Sequence, residues 1–188
     1  MKTSQSTLLC AAFFLCALPS CSSPSAPVTR MPVSSTIGSD SSLSGQVFQG
    51  VNSYRASKGK AALVRHAGLD RLAQQHCDYL VKTRGSYGLH GSDVSHMGYE
   101  GRLAIANHKY GMSSISENVV SSSTKSASHL VNLWTGSKGH ENNMSGSWSC
   151  TGVATAVTPE GTVISTQLFG TDPGVANLEH PNMFNGFR

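Results

Sequence analysis

Apolar residues recur at helical spacing in three segments of the chain. Val47, Val51 and Tyr54 predict a first short helix that ends before Gly59. A second stripe, at i, i+3, i+4, i+7 and i+11, consists of Leu69, Leu72, Ala73, His76 and Leu80. A third, at i, i+3, i+4 and i+7, consists of Ala127, Leu130, Val131 and Trp134. These stripes predict three amphipathic helices that pack on a core, and we expect another short helix near residues 102–108.

The apolar period changes toward the end of the chain. Ile115 to Ser121 is β-branched and polar, which favours a strand. Residues 153–157 and 163–169 alternate or are β-branched around the turn sequence Pro159-Glu160-Gly161-Thr162, which predicts a hairpin. Residues 85–101, rich in Gly, Ser and His, predict a loop region of the kind in which sites are built. Helices followed by strands predict an α+β domain in which helices cover an antiparallel sheet.

The first twenty residues have the features of a signal peptide. Lys2 precedes an apolar run from Leu8 to Leu18, which is followed by Pro19-Ser20-Cys21. The run is about eleven residues long, too short to cross a hydrocarbon core of about 30 Å as a helix. We therefore interpret residues 1–20 as a signal peptide and expect the protein to be exported.

Cys21 leaves two alternatives open for the mature N-terminus. A Leu three residues before a Cys and a small Ser one residue before it resemble the bacterial lipobox, in which the Cys is diacylated and anchors the protein to a membrane. The alternative is cleavage near Ser25 or Ala26, which removes Cys21. We accordingly expect either a lipoprotein of the cell envelope, periplasmic or at the surface, or a secreted protein.

Composition divides the remainder of the chain. Residues 21–44 are rich in Ser, Pro and Thr and poor in large apolar residues, so we expect a tether there. Residues 45–171 have the length of one domain, and residues 172–188 form a C-terminal tail. Lys and Arg total 14 against 10 Asp and Glu, and without Lys2 the formal net charge falls from +4 to +3. Basic runs with interleaved aromatic residues are missing, so we expect no nucleic-acid partner.

Cys77 and Cys150 are the cysteines that remain when the signal peptide is removed and Cys21 is acylated or lost. Two thiols in an oxidising compartment are expected to pair. In the chain-entropy model, a disulfide between them would stabilise the fold by about 4 kcal/mol. Two buried unpaired cysteines are the alternative.

Several short strings, in this order along the chain, resemble the CAP (sperm-coating-protein) domain and specifically its bacterial branch. They are Asn52-Ser53-Tyr54-Arg55, Ala73-Gln74-Gln75-His76, Ser95-His96-Met97-Gly98-Tyr99 with Arg102, Glu117-Asn118-Val119, Trp134 to His140 with Asn143, Thr151-Gly152-Val153, and Thr166 to Gly170. Two positions depart from the family pattern: Ser116 stands where a Gly often precedes the Glu, and Lys138 where a Pro is usual. The resemblance covers residues 46–170.

The resemblance implies a three-layer α-β-α sandwich with a central antiparallel sheet. It also implies a cleft that holds two His and, in many animal and plant members, two Glu. By position these residues are His96, Glu117 and His140, while the second Glu falls at Ser137, so the tetrad is incomplete. Family members have been linked to lipid and sterol binding, to partner recognition and, less securely, to proteolysis, so the fold does not decide the function.

Three interpretations of His96, Glu117 and His140 follow. Two imidazoles and a carboxylate are the ligand set of a hydrolytic zinc site, although we expect at most a weakly bound divalent ion held by His96 and His140. In metal-free catalysis one His would pair with Glu117 while Ser137 acts as the nucleophile, but a Ser before Lys-Gly-His more often caps or turns the chain. The third interpretation is a buried polar network in which Glu117 accepts from imidazole N–H groups.

We therefore expect an exported, non-enzymatic module that binds a lipid, a small ligand or a partner protein and has no obligatory cofactor. The ligand-binding cleft is predicted at His96, Glu117, Ser137 and His140. The alternative is a protease-like hydrolase, in one version dependent on a divalent metal such as zinc, that uses the same residues for catalysis.

Overall fold

The structure, a computed structural model, describes residues 42–83 and 96–174. In chain order the elements are α1 Leu43–Ser57, β1 Val64–Arg65, α2 Ala67–Thr83, α3 Tyr99–Tyr110, β2 Ile115–Ser122, α4 Ala127–Thr135, α5 Lys138–Ser145, β3 Cys150–Val157 and β4 Val163–Gly170. The helices predicted from the three apolar stripes are confirmed as α1, α2 and α4, and the predicted strand and hairpin as β2 and β3–β4. The predicted signal peptide, Cys21 and most of the tether and tail lie outside the described residues.

The first two helices begin at caps of different chemistry. The Ser42 side chain accepts a hydrogen bond from the Gly45 backbone N–H at 3.1 Å, so α1 starts at Leu43 and includes the last two residues of the predicted tether. At the start of α2 the acceptor is an imidazole, because His66 Nδ1 lies 3.1 Å from the backbone nitrogen of Gly68 and 3.2 Å from that of Leu69. A neutral, buried His thus takes the capping role that Ser or Asp usually has at a helix start.

The four strands form one sheet in the order β1-β3-β4-β2. The three long strands pair antiparallel, from Cys150 opposite Gly170 to Val157 opposite Val163 in the β3–β4 hairpin. β1 adds a parallel pairing of two residues to β3. The sequence pattern does not predict β1, because two residues are too few to show a period. The antiparallel core of the predicted sheet is confirmed.

Helices cover both faces of the sheet and give two apolar cores. Helices α2 and α3 lie on one face, where the core includes Leu69, Leu80, Ile115, Ile164 and Leu168. Helices α1, α4 and α5 lie on the other face, where the core includes Val47, Val51, Trp134, Met144 and Phe169. This arrangement is the predicted three-layer α-β-α sandwich. No helix in the described ranges combines the length and apolar character that crossing a bilayer requires.

The two cysteines of the domain are both buried and both free, so the predicted disulfide is not formed. The Cys77 thiol on α2 lies 3.3 Å from Thr166 Oγ1, and Thr166 is opposite Ala154 of β3. The Cys150 thiol instead lies 3.3 Å from the Gly170 carbonyl oxygen. These two points on the sheet are four residues apart along β3, or roughly 13 Å at the usual rise per residue. A disulfide joins Cα atoms no more than about 7 Å apart, so the fold separates the pair.

The close contact between α2 and β3 depends on Gly152. A Cβ atom at this position would overlap the backbone nitrogen of Asp70 and the carbonyl carbon of Leu69, both in α2. We expect Gly152→Ala to destabilise the domain by about 1–3 kcal/mol, because helix and strand must separate to admit the methyl group. The measurement is the free energy of unfolding from a denaturant titration.

Gly101→Ala is the matched control, because nothing lies within 4 Å of a Cβ at that position in α3. The control variant should be unchanged or slightly stabilised, since Ala is the better helix former. Equal stability of the two variants would contradict the close packing of α2 on β3.

Burial raises the pKa of Cys77 to about 11 and that of Cys150 to about 12. Because the thiolate is the reactive form, native protein should leave both thiols unmodified by iodoacetamide, and unfolding without reductant should expose both to alkylation. Peptide mass spectrometry measures the labelled fraction at each position. A peptide pair linked through the two cysteines in the non-reduced digest would contradict the structure.

Candidate functional site

The predicted Glu117 lies on β2, at one edge of the sheet. Side chains of consecutive strand residues point to opposite faces, so Glu117 faces the layer of α2 and α3 while Asn118 faces the layer of α5. The polar strand segment that the sequence pattern predicts is therefore a point of attachment for both helical layers.

The Glu117 carboxylate is bound by Arg102 of α3 through two parallel hydrogen bonds. Arg102 Nε lies 2.6 Å from Oε2, and Arg102 Nη2 lies 2.7 Å from Oε1. The side chains are 10% and 1% exposed for Arg102 and Glu117, respectively. A bidentate guanidinium–carboxylate pair is among the strongest hydrogen-bonded arrangements in proteins, and here it is buried between α3 and the sheet.

The predicted His96 meets the same carboxylate from the loop that precedes α3. Its Nδ1 lies 2.8 Å from Glu117 Oε1, and its side chain is 50% exposed, so this imidazole joins the buried pair to the solvent. The loop itself is held by Arg102, whose Nη1 donates to the Met97 carbonyl at 2.9 Å and whose Nη2 lies 3.4 Å from the His96 carbonyl.

His76 of α2 completes the buried side of the cluster. Its Nδ1 lies 3.2 Å from Arg102 Nη1 and its Nε2 lies 3.9 Å from Glu117 Oε1. A guanidinium can only donate, so Nδ1 accepts and the proton of the neutral ring is on Nε2, toward the carboxylate. The sequence pattern predicts His76 only as a packing residue on the apolar stripe of α2, whereas the structure also places it in the polar cluster around Glu117.

Opposing influences act on the ionisation of Glu117. Burial by itself raises the pKa, but hydrogen bonds from His96 and Arg102, together with the Arg102 charge, outweigh it and hold the pKa below its ordinary value. Glu117 is therefore the negative member of a buried ion pair at neutral pH.

The α5 layer is attached to β2 through two asparagines. Asn118 Nδ2 donates to the His140 carbonyl at 3.0 Å, and Asn143 Nδ2 donates to Asn118 Oδ1 at 2.9 Å and to the Glu117 carbonyl at 3.2 Å. These bonds satisfy edge groups of the strand and bring α5, with the predicted His140, to the same end of the sheet as His96.

The imidazole of His140 is half-buried and lies within electrostatic range of His96. Burial and the nearby His96 both lower the pKa of His140, so the neutral ring is favoured. Its Nδ1 is buried and has no hydrogen-bond partner among the described residues. The structure thus gathers His96, Glu117 and His140 in one region, with His96 rather than Glu117 as the accessible member.

Ser137 occupies the cap position of α5, where its carbonyl accepts from the Glu141 backbone N–H at 2.8 Å and its side chain makes no capping hydrogen bond. In the described part of the chain, no hydroxyl or thiol hydrogen-bonds to the ring of His96 or His140. The geometry therefore gives Ser137 a position at the start of the helix, and within the described residues it pairs Ser137 with no base.

The cluster does not fit a zinc site of two His and one Glu. Both Glu117 oxygens accept from Arg102, and His96 Nδ1 is bound to the same carboxylate, so a cation would have to displace a buried guanidinium. Catalytic zinc needs three protein ligands, and two imidazoles alone fall short of that number. Across residues 42–83 and 96–174, no three His, Cys, Asp or Glu side chains are arranged to hold a metal ion.

Arg102, His76, Asn118 and Asn143 are the cluster residues whose roles the sequence pattern did not predict. Each lies inside one of the short strings that carry the family resemblance. Membership of these strings was the available signal, but it does not show which residues are in contact: His76 and Arg102, for example, are 26 positions apart in the chain.

An α-β-α sandwich with a His-Glu cluster at the edge strand defines a recognisable class of domain. The sequence profile of the cysteine-rich secretory protein family (CAP) matches residues 48–169. The chain belongs to this family. A search of curated protein sequences gives no match.

Three solved structures have a similar fold. An outer surface protein from Borrelia burgdorferi is 17% identical with a TM-score of 0.54, over 67% of this chain and 90% of that chain. A cysteine-rich secretory protein from Staphylococcus aureus subsp. aureus Mu50 is 16% identical with a TM-score of 0.52, over 68% of this chain and 38% of that chain. An extracellular protein containing a SCP domain from Bacillus anthracis str. Ames is 19% identical with a TM-score of 0.54, over 69% and 40%. The chain therefore spans less than half of the last two proteins, and at these identities the likeness concerns the fold.

Glu117→Gln removes the charge that neutralises Arg102 and leaves a buried guanidinium unpaired. We expect the free energy of unfolding to fall by about 3–5 kcal/mol, the usual effect of removing one member of a buried ion pair. The contribution of the native pair is complete above pH 4.5, the ordinary pKa of Glu117, and is lost as pH falls through the lower folded-state value. Denaturant titrations at several pH values measure both effects, and the variant should lose the corresponding acid dependence.

Glu100→Gln, on the exposed surface of α3, is the matched control and should change stability by no more than about 0.5 kcal/mol. A Glu117→Gln protein as stable as this control at neutral pH would show that the ion pair does not hold α3 to the sheet.

Proposed function

We propose that this protein is an exported, non-enzymatic CAP-domain module that binds a lipid, another small ligand or a partner protein at the surface formed by His96 and His140. It acts in the cell envelope or in the secreted fraction. No cofactor is required for this role.

The state of Glu117 carries this proposal. A general base works best with a pKa near the operating pH and with an oxygen free to take a proton. Glu117 has a lowered pKa, and its oxygens accept three hydrogen bonds from Arg102 and His96. The carboxylate is therefore suited to holding charge and position rather than to transferring protons.

The groups left for recognition are the two imidazoles. His96 is half exposed, whereas His140 is half-buried and its Nδ1, unpartnered among the described residues, is itself buried, so His96 is the more accessible of the two rings and His140 borders it. They come from opposite helical layers and are supported by the buried cluster and by α5. A rigid support with a few polar groups at the surface is typical of a binding site.

Export has support from two sources. The N-terminal sequence has signal-peptide character, and the similar structures include proteins named as outer surface and extracellular. Diacylation of Cys21 would attach the domain to a membrane through the tether of residues 21–44, whereas cleavage at Ser25 or Ala26 would release it.

The alternative function is hydrolysis, and the hydrogen bond between His96 and Glu117 is the observation that favours it. His96 Nδ1 is oriented by an ionised carboxylate, as the base of a catalytic triad is, and its other ring nitrogen is not bound within the described part of the chain. Against it stands the absence, in the described residues, of a hydroxyl or thiol in hydrogen-bond contact with this ring.

The discriminating experiment compares the double variant His96→Ala/His140→Ala with the control His108→Ala/His129→Ala, whose histidines lie on α3 and α4. Each protein is purified from the exported fraction, its co-purified lipids and small molecules are identified by mass spectrometry, and fluorogenic peptides and esters are assayed for turnover. We expect the site variant to lose its bound ligand roughly tenfold or more, because at least one ligand hydrogen bond is lost at each imidazole. The control should keep it.

Turnover by the wild-type protein that disappears in a folded site variant would favour the hydrolase over the binding module. Ligand retention at wild-type level in the site variant would place the binding surface elsewhere and overturn the proposal. Circular dichroism verifies that both variants are folded.

A further inference from the structure

All five N–H groups of the Arg102 guanidinium have acceptors. Nε and Nη2 each donate to one Glu117 oxygen, Nη1 donates to the Met97 carbonyl and lies 3.2 Å from His76 Nδ1, and the second Nη2 proton faces the His96 carbonyl. A side chain whose complete set of donors is used has one orientation, and only a planar five-donor fork matches this set of acceptors.

Three of these contacts bear on the position of His96. Arg102 holds the backbone of the loop at residues 96 and 97, and it holds the carboxylate to which the His96 ring is bound. The same guanidinium thus holds both parts of His96. It contacts the backbone carbonyl directly, and it holds the ring through Glu117.

The cluster also selects the tautomer of His96. An ionised carboxylate only accepts hydrogen bonds, so the His96 nitrogen 2.8 Å from Glu117 Oε1 must be the donor. A neutral imidazole has one N–H, which leaves Nε2, the nitrogen not bound to Glu117, with a lone pair. The ring, which is half exposed, therefore has an acceptor on the nitrogen that does not contact Glu117.

We propose that Arg102 is a positioning residue that, through Glu117 and the loop carbonyls, fixes His96 in the Nδ1–H tautomer and presents Nε2 to a ligand group that donates a hydrogen bond. A hydroxyl or an amine N–H has this chemistry. The ligand part of the statement rests on the proposed binding function, whereas the tautomer is a property of the free protein.

The test is a long-range ¹H–¹⁵N correlation spectrum of the imidazoles in the ¹⁵N-labelled full chain, recorded in chelator and without ligand. For the neutral ring of wild-type His96 we expect the Nδ1–H form to exceed the Nε2–H form by roughly tenfold or more, as a charge-assisted hydrogen bond requires. Arg102→Lys keeps the charge but replaces the planar fork by a single ammonium, so the preference should fall several-fold. His129, on α4, is the internal control and should be unaffected.

A wild-type His96 that carries its proton on Nε2 would overturn the proposal whatever the variants do. A folded Arg102→Lys protein with the wild-type tautomer ratio would remove Arg102 from it. Should Arg102→Lys not fold, the double variant Arg102→Gln/Glu117→Gln, which removes both charges of the buried pair and leaves neither unpaired, should lose the Nδ1–H preference of His96, and a folded double variant that keeps the wild-type ratio would overturn the proposal. Since no ligand is present, these outcomes are independent of whether the His96 surface binds one.

Discussion

The ion pair between Arg102 and Glu117 is the interaction on which the rest of the site depends. It joins α3 to the edge strand, and the same guanidinium holds the loop that carries His96. Burying two charges is costly unless each is paired and its remaining hydrogen-bonding capacity is used. The Arg102 N–H groups that do not bind Glu117 are directed at His76 and at the carbonyls of Met97 and His96. The hydrogen bonds of the pair are therefore complete only when α2, α3, β2 and the loop are all in place.

The ion pair with Arg102 limits what the His-Glu group can do chemically in this chain. Glu117 is paired with a cation of the protein itself, so a metal ion at that carboxylate would have to compete with the Arg102 guanidinium. Ser137, where the family resemblance places the second Glu, is the N-cap residue of α5. What remains at the surface is a pair of imidazoles on a rigid base, and such an arrangement suits recognition better than proton transfer by Glu117.

Asn118 and Asn143 attach the opposite helical layer to the same edge strand. Because strand residues alternate between faces, a buried ion pair at Glu117 brings Asn118 to the α5 side, where it and Asn143 hold the helix that carries His140. Two imidazoles from different layers thus come together at an edge strand whose outward carbonyls are bound by side chains of both layers, Asn143 at Glu117 and Tyr99 at Ile115.

Apolar periodicity predicted α1, α2 and α4, and β-branched or alternating segments predicted β2 and the hairpin, since these elements place a repeating pattern of side chains against one of two cores. The family strings predicted the layer order and named His96, Glu117 and His140. Local sequence determines such features because they depend on neighbours a few residues apart. The partner of Glu117, the role of His76 and the separation of Cys77 from Cys150 depend instead on distances across layers, which only the tertiary packing of helices on the sheet decides.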